Sequence, residues 1–99
     1  MNICIFGASI TWGSYDPERG GWANRLRNYW EEKSDDETLV YNLGVSGDTT
    51  TDLLTRVEQE AAAREPDIIV FAIGTNDAQY LRPEESPRTS PAEFADNLE

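Results

Sequence analysis

The chain has no histidine, one cysteine and one lysine among its 99 residues. Without histidine it cannot supply the usual general base for a serine or cysteine nucleophile. The same lack, with a single thiol, leaves few donors for a transition metal, so no metal site and no cofactor are expected. Cys4 has no intrachain partner for a disulfide, and its neighbours Ile3 and Ile5 mark it as a small buried hydrophobe. Long apolar runs are missing too. The longest, Ile68-Ile69-Val70-Phe71-Ala72-Ile73, falls far short of the ~20 residues that span a membrane. The N-terminus has no basic segment, apolar core or cleavage site of a secretory signal, so a cytoplasmic location is expected.

Basic charge is also scarce. Eight Lys and Arg against 19 Asp and Glu leave a formal net charge of −11. Such a surface repels phosphate backbones and anionic membranes, so neither nucleic acid nor a membrane is an expected partner. The acidic run Glu31–Glu37 reads as a solvated helix end. A hydrophobic fraction of 38% and an aromatic fraction of 10% fit one small globular domain.

Three segments read as buried strands: Asn2–Phe6, Thr38–Asn42 and Asp67–Ile73. The last is apolar without alternation, the pattern of a parallel strand covered on both faces and a poor fit to a sheet edge. Between them lie two helical stripes. Trp22, Leu26, Tyr29 and Trp30 form one apolar face; Leu53, Leu54, Val57, Ala61 and Ala62 form another. Asp48 or a neighbouring threonine is the expected N-cap of the second helix, and Pro66 closes it. Arg82–Pro91 reads as a loop. Ser90-Pro91-Ala92-Glu93 then starts a further helix, with Ser90 as N-cap, Pro91 at the first position and Glu93 three residues on. The order β-α-β-α-β predicts an α/β fold: a three-layer α/β/α, flavodoxin-like, doubly wound parallel sheet, of which these elements make the N-terminal half.

In such sheets ligands bind beyond the carboxyl ends of the strands. Three polar, glycine-bearing turns are expected on that rim: Gly7-Ala8-Ser9-Ile10, Ser46-Gly47-Asp48-Thr49 and Gly74-Thr75-Asn76-Asp77. Acyl transfer needs a hydroxyl nucleophile and donors aimed at the developing oxyanion. Ser9 fits the nucleophile. The Ser9 and Gly47 amides and the Asn76 side chain fit the oxyanion donors. Asp77 reads as a residue that holds its loop, and Gly44 and Gly74 as turn residues. Trp12 fits a pocket wall or packing on the first helix equally well, whereas Trp22 and Trp30 read as core.

These turns resemble the first three sequence blocks of the SGNH hydrolases, the GDSL-type lipases and esterases, in order and over essentially the whole chain. The resemblance implies a serine esterase that cleaves carboxylic esters, acetyl esters among them, through an acyl-enzyme on Ser9. It departs at two places. Ala8 stands where the family carries aspartate, and the family's Asp-x-x-His block has no counterpart here. The expected partners are therefore a small-molecule ester and a complementary C-terminal fragment, or a swapped copy, that completes the domain; this chain alone is expected to be inactive or nearly so. A non-catalytic relative of the same fold is the alternative. A nucleotide-binding domain is a third reading, weakened because neither a Gly-x-x-x-x-Gly-Lys-Ser/Thr loop nor a Gly-x-Gly-x-x-Gly fingerprint is present.

Overall fold

The computed structural model describes residues 1–33, 37–80 and 86–99. Its three strands are β1 (Asn2–Gly7), β2 (Leu39–Gly44) and β3 (Ile68–Ala72), arranged β2-β1-β3 and all parallel. Ile3 pairs with Val40 on one side and Ile68 on the other. The helices are α1 (Ser9–Trp12), α2 (Gly21–Lys33), α3 (Thr50–Leu54), α4 (Val57–Arg64) and α5 (Pro91–Asn97).

Strand geometry sends alternate side chains of β1 to opposite faces. Ile3 and Ile5 meet Ala23 and Val40, with Leu26 of α2 packed against them. Cys4 and Phe6 meet Leu53 on the other face, with Val57 and Ala61 of α4 alongside. Helices thus cover both faces of a central parallel strand, as the doubly wound α/β class requires. Burial pushes the Cys4 thiol above its ordinary pKa, which suits an inert packing residue.

Several local expectations change. The stripe from Leu53 to Ala62 belongs to two helices instead of one. At the break the amides of Thr55 and Arg56 bond only three residues back, to the carbonyls of Asp52 (3.1 Å) and Leu53 (3.0 Å), and the Thr55 hydroxyl donates to the Asp52 carbonyl at 2.6 Å. A threonine that bonds back in this way competes with the regular helical ladder. The N-cap of α3 is Thr49, one of the threonines expected there; its hydroxyl accepts from the Asp52 amide while the Asp52 carboxylate accepts from the Thr49 amide at 3.0 Å. That amide bond holds the Asp52 carboxyl below its usual range. Further on, α4 ends at Arg64, just ahead of Pro66.

The aromatic stripe of α2 is also less buried than its periodicity suggests. Ala23 is its buried residue and Leu26 packs beside it, while Trp22, Tyr29 and Trp30 stay exposed around that contact. The small Ala23 lets the helix backbone approach the sheet, so the long rings flank the contact instead of filling it. The apolar run of β3 is not covered on both faces: it forms a sheet edge, with Ile68, Ile69 and Phe71 exposed by 43%, 41% and 54%.

Ser90 caps α5 as expected, accepting from the Glu93 amide at 3.2 Å, with Pro91 in the first turn. The Asn97 amide of α5 donates to the hydroxyls of Thr50 (2.9 Å) and Thr51 (3.0 Å), tying that helix to α3. The expected loop Arg82–Pro91 and acidic run Glu31–Glu37 fall partly on residues 81–85 and 34–36, outside the described residues. Among the described residues no helix is long and apolar enough to cross a membrane.

Candidate active site

A parallel strand delivers its carboxyl end to the same rim as its neighbours, so all three glycine-bearing turns meet there. The first turn follows β1 directly. Gly7 ends the strand, Ala8 precedes α1, and Ser9 opens it. Ala8 has no side-chain acceptor to offer, and α1 carries no side-chain cap. The turn is held by backbone instead: the Trp12 amide donates to the Ala8 carbonyl at 2.9 Å, and the Gly13 amide to the Ser9 carbonyl at 2.9 Å. The first amides of a helix lack acceptors within it, and the Ser9 amide has no acceptor among the described residues.

Gly44 sits where β2 passes that turn. A Cβ there would lie 2.4 Å from the Trp12 nitrogen and 2.9 Å from the Ala8 carbonyl oxygen. Close approach therefore demands glycine at this position, a stronger reason than the turn flexibility expected of it. Asn42, unremarked in the sequence, sews the same two segments together. Its side-chain amide donates to the Thr11 carbonyl at 2.8 Å and its oxygen accepts from the Gly44 amide at 3.0 Å. The sequence signal for it was a polar residue at the carboxyl end of an apolar strand. Trp12 itself is exposed.

Gly47 lies in the second turn at φ +88°, in the left-handed region, with open space where a Cβ would project. Backbone conformation, not crowding, makes glycine the favoured residue there. The Gly47 amide has no acceptor among the described residues, whereas the groups around it are tied. The Gly47 carbonyl accepts from Arg88 at 3.2 Å, and the Asp48 carbonyl accepts from the Asn76 side-chain amide at 2.9 Å. The Val45 amide, two residues earlier, donates to the Gly7 carbonyl at 3.1 Å and binds this turn to the end of β1.

The third turn is anchored by Asp77, only 2% exposed. Its carboxylate accepts from the Thr50 amide at 3.0 Å and from the Thr50 hydroxyl at 2.6 Å. A buried carboxylate must be met by donors in this way, and the loop-holding role expected of Asp77 is the one it performs. Asn76, its neighbour, lines a cavity of about 210 Å³ together with Ala8, Ser9, Thr11, Trp22 and Gly74. Ser9 and Asn76 thus share one cavity; Gly47 does not line it and is linked to it only through its neighbour Asp48, whose carbonyl Asn76 holds. Trp22, expected in the core, instead lines the same cavity as Ser9.

The chain matches the GDSL-like lipase/acylhydrolase family over residues 5–99. It is 32% identical over 102 aligned residues to the uncharacterized lipoprotein YqeF of Bacillus subtilis (strain 168), covering 98% of this chain and 40% of that protein. It is 31% identical over 75 residues to an arylesterase of Vibrio mimicus, covering 76% of this chain and 37% of the relative. Among solved structures it superposes on TesA with a TM-score of 0.80 at 28% identity, over 99% of this chain and 50% of TesA. The chain therefore spans half or less of the length of these relatives. With blocks, rim and sheet in agreement, the chain belongs to the GDSL-like lipase/acylhydrolase family and has the α/β fold of the SGNH hydrolases.

Proposed function

We propose that this chain carries the nucleophile and the oxyanion hole of a serine ester hydrolase whose base lies in a further segment. The Ser9 hydroxyl attacks the ester carbonyl carbon and gives up its proton to a histidine of an Asp-x-x-His block outside this sequence. The carbonyl oxygen gains negative charge and is met by the amides of Ser9 and Gly47 and by Asn76. The intermediate then collapses, the carbon–oxygen bond to the alcohol breaks, and the histidine returns the proton to that alcohol. Water, deprotonated by the same histidine, attacks the acyl-enzyme, releases the acid and restores Ser9.

The observation that carries this reading is the pairing of Ser9 and Asn76 on one cavity, with the Ser9 amide left without an acceptor among the described residues. Asn76 has two amide hydrogens; one serves the Asp48 carbonyl, leaving the other for substrate. The need for a further segment is supported by the exposed apolar edge at β3 and by the share of each relative that the chain spans. That segment would lie against β3 as a complementary fragment; a swapped copy of this chain, which has no histidine, would cover the strand without supplying the base.

The test is hydrolysis of p-nitrophenyl acetate by the protein as isolated from its source, with whatever polypeptide accompanies it. Ser9→Ala is expected to cut turnover by about 10⁴-fold or more, leaving the residue that binding and oxyanion contacts alone supply. Normal turnover by that variant would refute the proposal, and a wild type with no turnover would favour a non-catalytic relative of the same fold.

A further inference from the structure

The break between α3 and α4 turns Arg56 inward. At φ −129° Arg56 leaves the helical region, and its side chain runs beneath the rim with only 16% of its surface exposed. One guanidinium then reaches three separate segments of the candidate site. Its Nη2 donates to the Leu43 carbonyl at 2.9 Å, at the end of β2, and to the Gly7 carbonyl at 3.4 Å, two residues before Ser9. Its Nε donates at 2.9 Å to the carboxylate of Asp48, the residue after Gly47. Nη1 pairs with Glu60 of α4, and the charge rests 5.7 Å from the ring centre of Phe6.

We propose that Arg56 is a positioning residue of this site, clamping the Gly47-Asp48 turn against the ends of β1 and β2 so that the Gly47 amide keeps a fixed place relative to Ser9. The inference rests on the esterase reading above. Its physical basis is the planar fork of donors that arginine alone provides: a lysine has one compact ammonium and cannot meet two carbonyls and a carboxylate in these directions. The ion pair with Asp48, whose side chain is 12% exposed, is largely shielded from water and salt. Arg56 also stands where helical periodicity was interrupted, and the interruption delivers it to the rim.

The experiment compares wild type, Arg56→Lys and Asp48→Ala in the protein as isolated from its source. Two readouts are taken: the rate at which a fluorophosphonate labels Ser9, and the NMR order parameter of the Gly47 amide. For Arg56→Lys, labelling is expected to slow about 10²-fold, the scale of a lost oxyanion donor. The Gly47 order parameter is expected to fall from about 0.85 to below about 0.6, with β1 amides unchanged. Wild-type values for both readouts overturn the proposal. A loosened Gly47 with a wild-type labelling rate also overturns it, because the clamp would then serve only the scaffold. If Arg56→Lys unfolds, Asp48→Ala carries the test; it frees the turn but leaves the bonds to Gly7 and Leu43, and an unchanged Gly47 amide there counts against the clamp. If wild-type Ser9 takes no label, the esterase reading fails, and the Gly47 amide alone decides whether Arg56 holds the turn.

Discussion

β1 and β3 lie side by side in one sheet and run in the same direction, yet their surroundings differ. β1 has a strand on each edge and a helix on each face, and Ile3 through Phe6 are buried. Among the described residues β3 has a strand on one edge only, and four of its five residues are exposed. Phe6 and Phe71 show the contrast at closest range. They stack with ring centres 5.7 Å apart, but Phe6 is fully buried and Phe71 is 54% exposed. An apolar run states what a strand must have covered; it does not state which segment covers it.

The largest expected effect tests that contrast directly. Phe6→Ala should cost about 3–5 kcal/mol of unfolding free energy, as for a ring removed from a closed core. Phe71→Ala should cost about 1 kcal/mol, because much of its ring is already in water. Chemical denaturation measures both, and equal losses would erase the distinction between the strands. Docking of a further segment on β3 would raise the Phe71→Ala cost toward that of Phe6→Ala, so repeating the comparison with the accompanying polypeptide bound sharpens it.

A smaller effect is expected at the rim, which belongs to the closed side of the molecule. Asp77→Ala leaves the buried amide and hydroxyl of Thr50 without their acceptor, and an unmet buried donor costs about 1–3 kcal/mol. The same denaturation series measures it. A neutral result would mean that water replaces the carboxylate freely and that the third turn is not held by this bond.

The smallest effect concerns acid. Asp52 has its carboxyl pKa lowered by the Thr49 amide, and Asp16 has its own lowered chiefly by the Gly21 amide, with Arg25 assisting. A carboxyl with a depressed folded pKa binds fewer protons folded than unfolded. Its contribution is therefore present above the unfolded value of about 3.9 and is lost as pH falls through the lower folded value. Amide exchange should accelerate at the start of α3 and in the turn before α2 over that acid range, with little change in β1. No acceleration there would show that these caps do not titrate with folding.

Much of the scaffold was legible in the sequence because it depends on short-range pattern. The run Ile3–Phe6 marked the central strand, Ser90-Pro91 marked a helix start, and the glycine-bearing turns marked the rim on which Ser9, Gly47 and Asn76 now lie. What escaped depends on partners distant in the chain. Arg56 and Asn42 went unmarked, since nothing local says that one guanidinium will reach Gly7 and Leu43 or that one amide will reach Thr11. The break after Leu54 escaped for a related reason. The apolar spacing continues across it, while the Thr55 hydroxyl and the inward pull on Arg56 act on the backbone without disturbing that spacing. Nor does a stripe of apolar positions record that Trp22 will line the cavity beside Ser9.

The most direct test of the central claim is a denaturing mass spectrum of the protein isolated from its source after treatment with a fluorophosphonate. The account predicts one adduct, localised to Ser9, in a sample that also contains an Asp-x-x-His sequence on the same or an accompanying polypeptide. A lone, unlabelled species with the mass of this chain would contradict it.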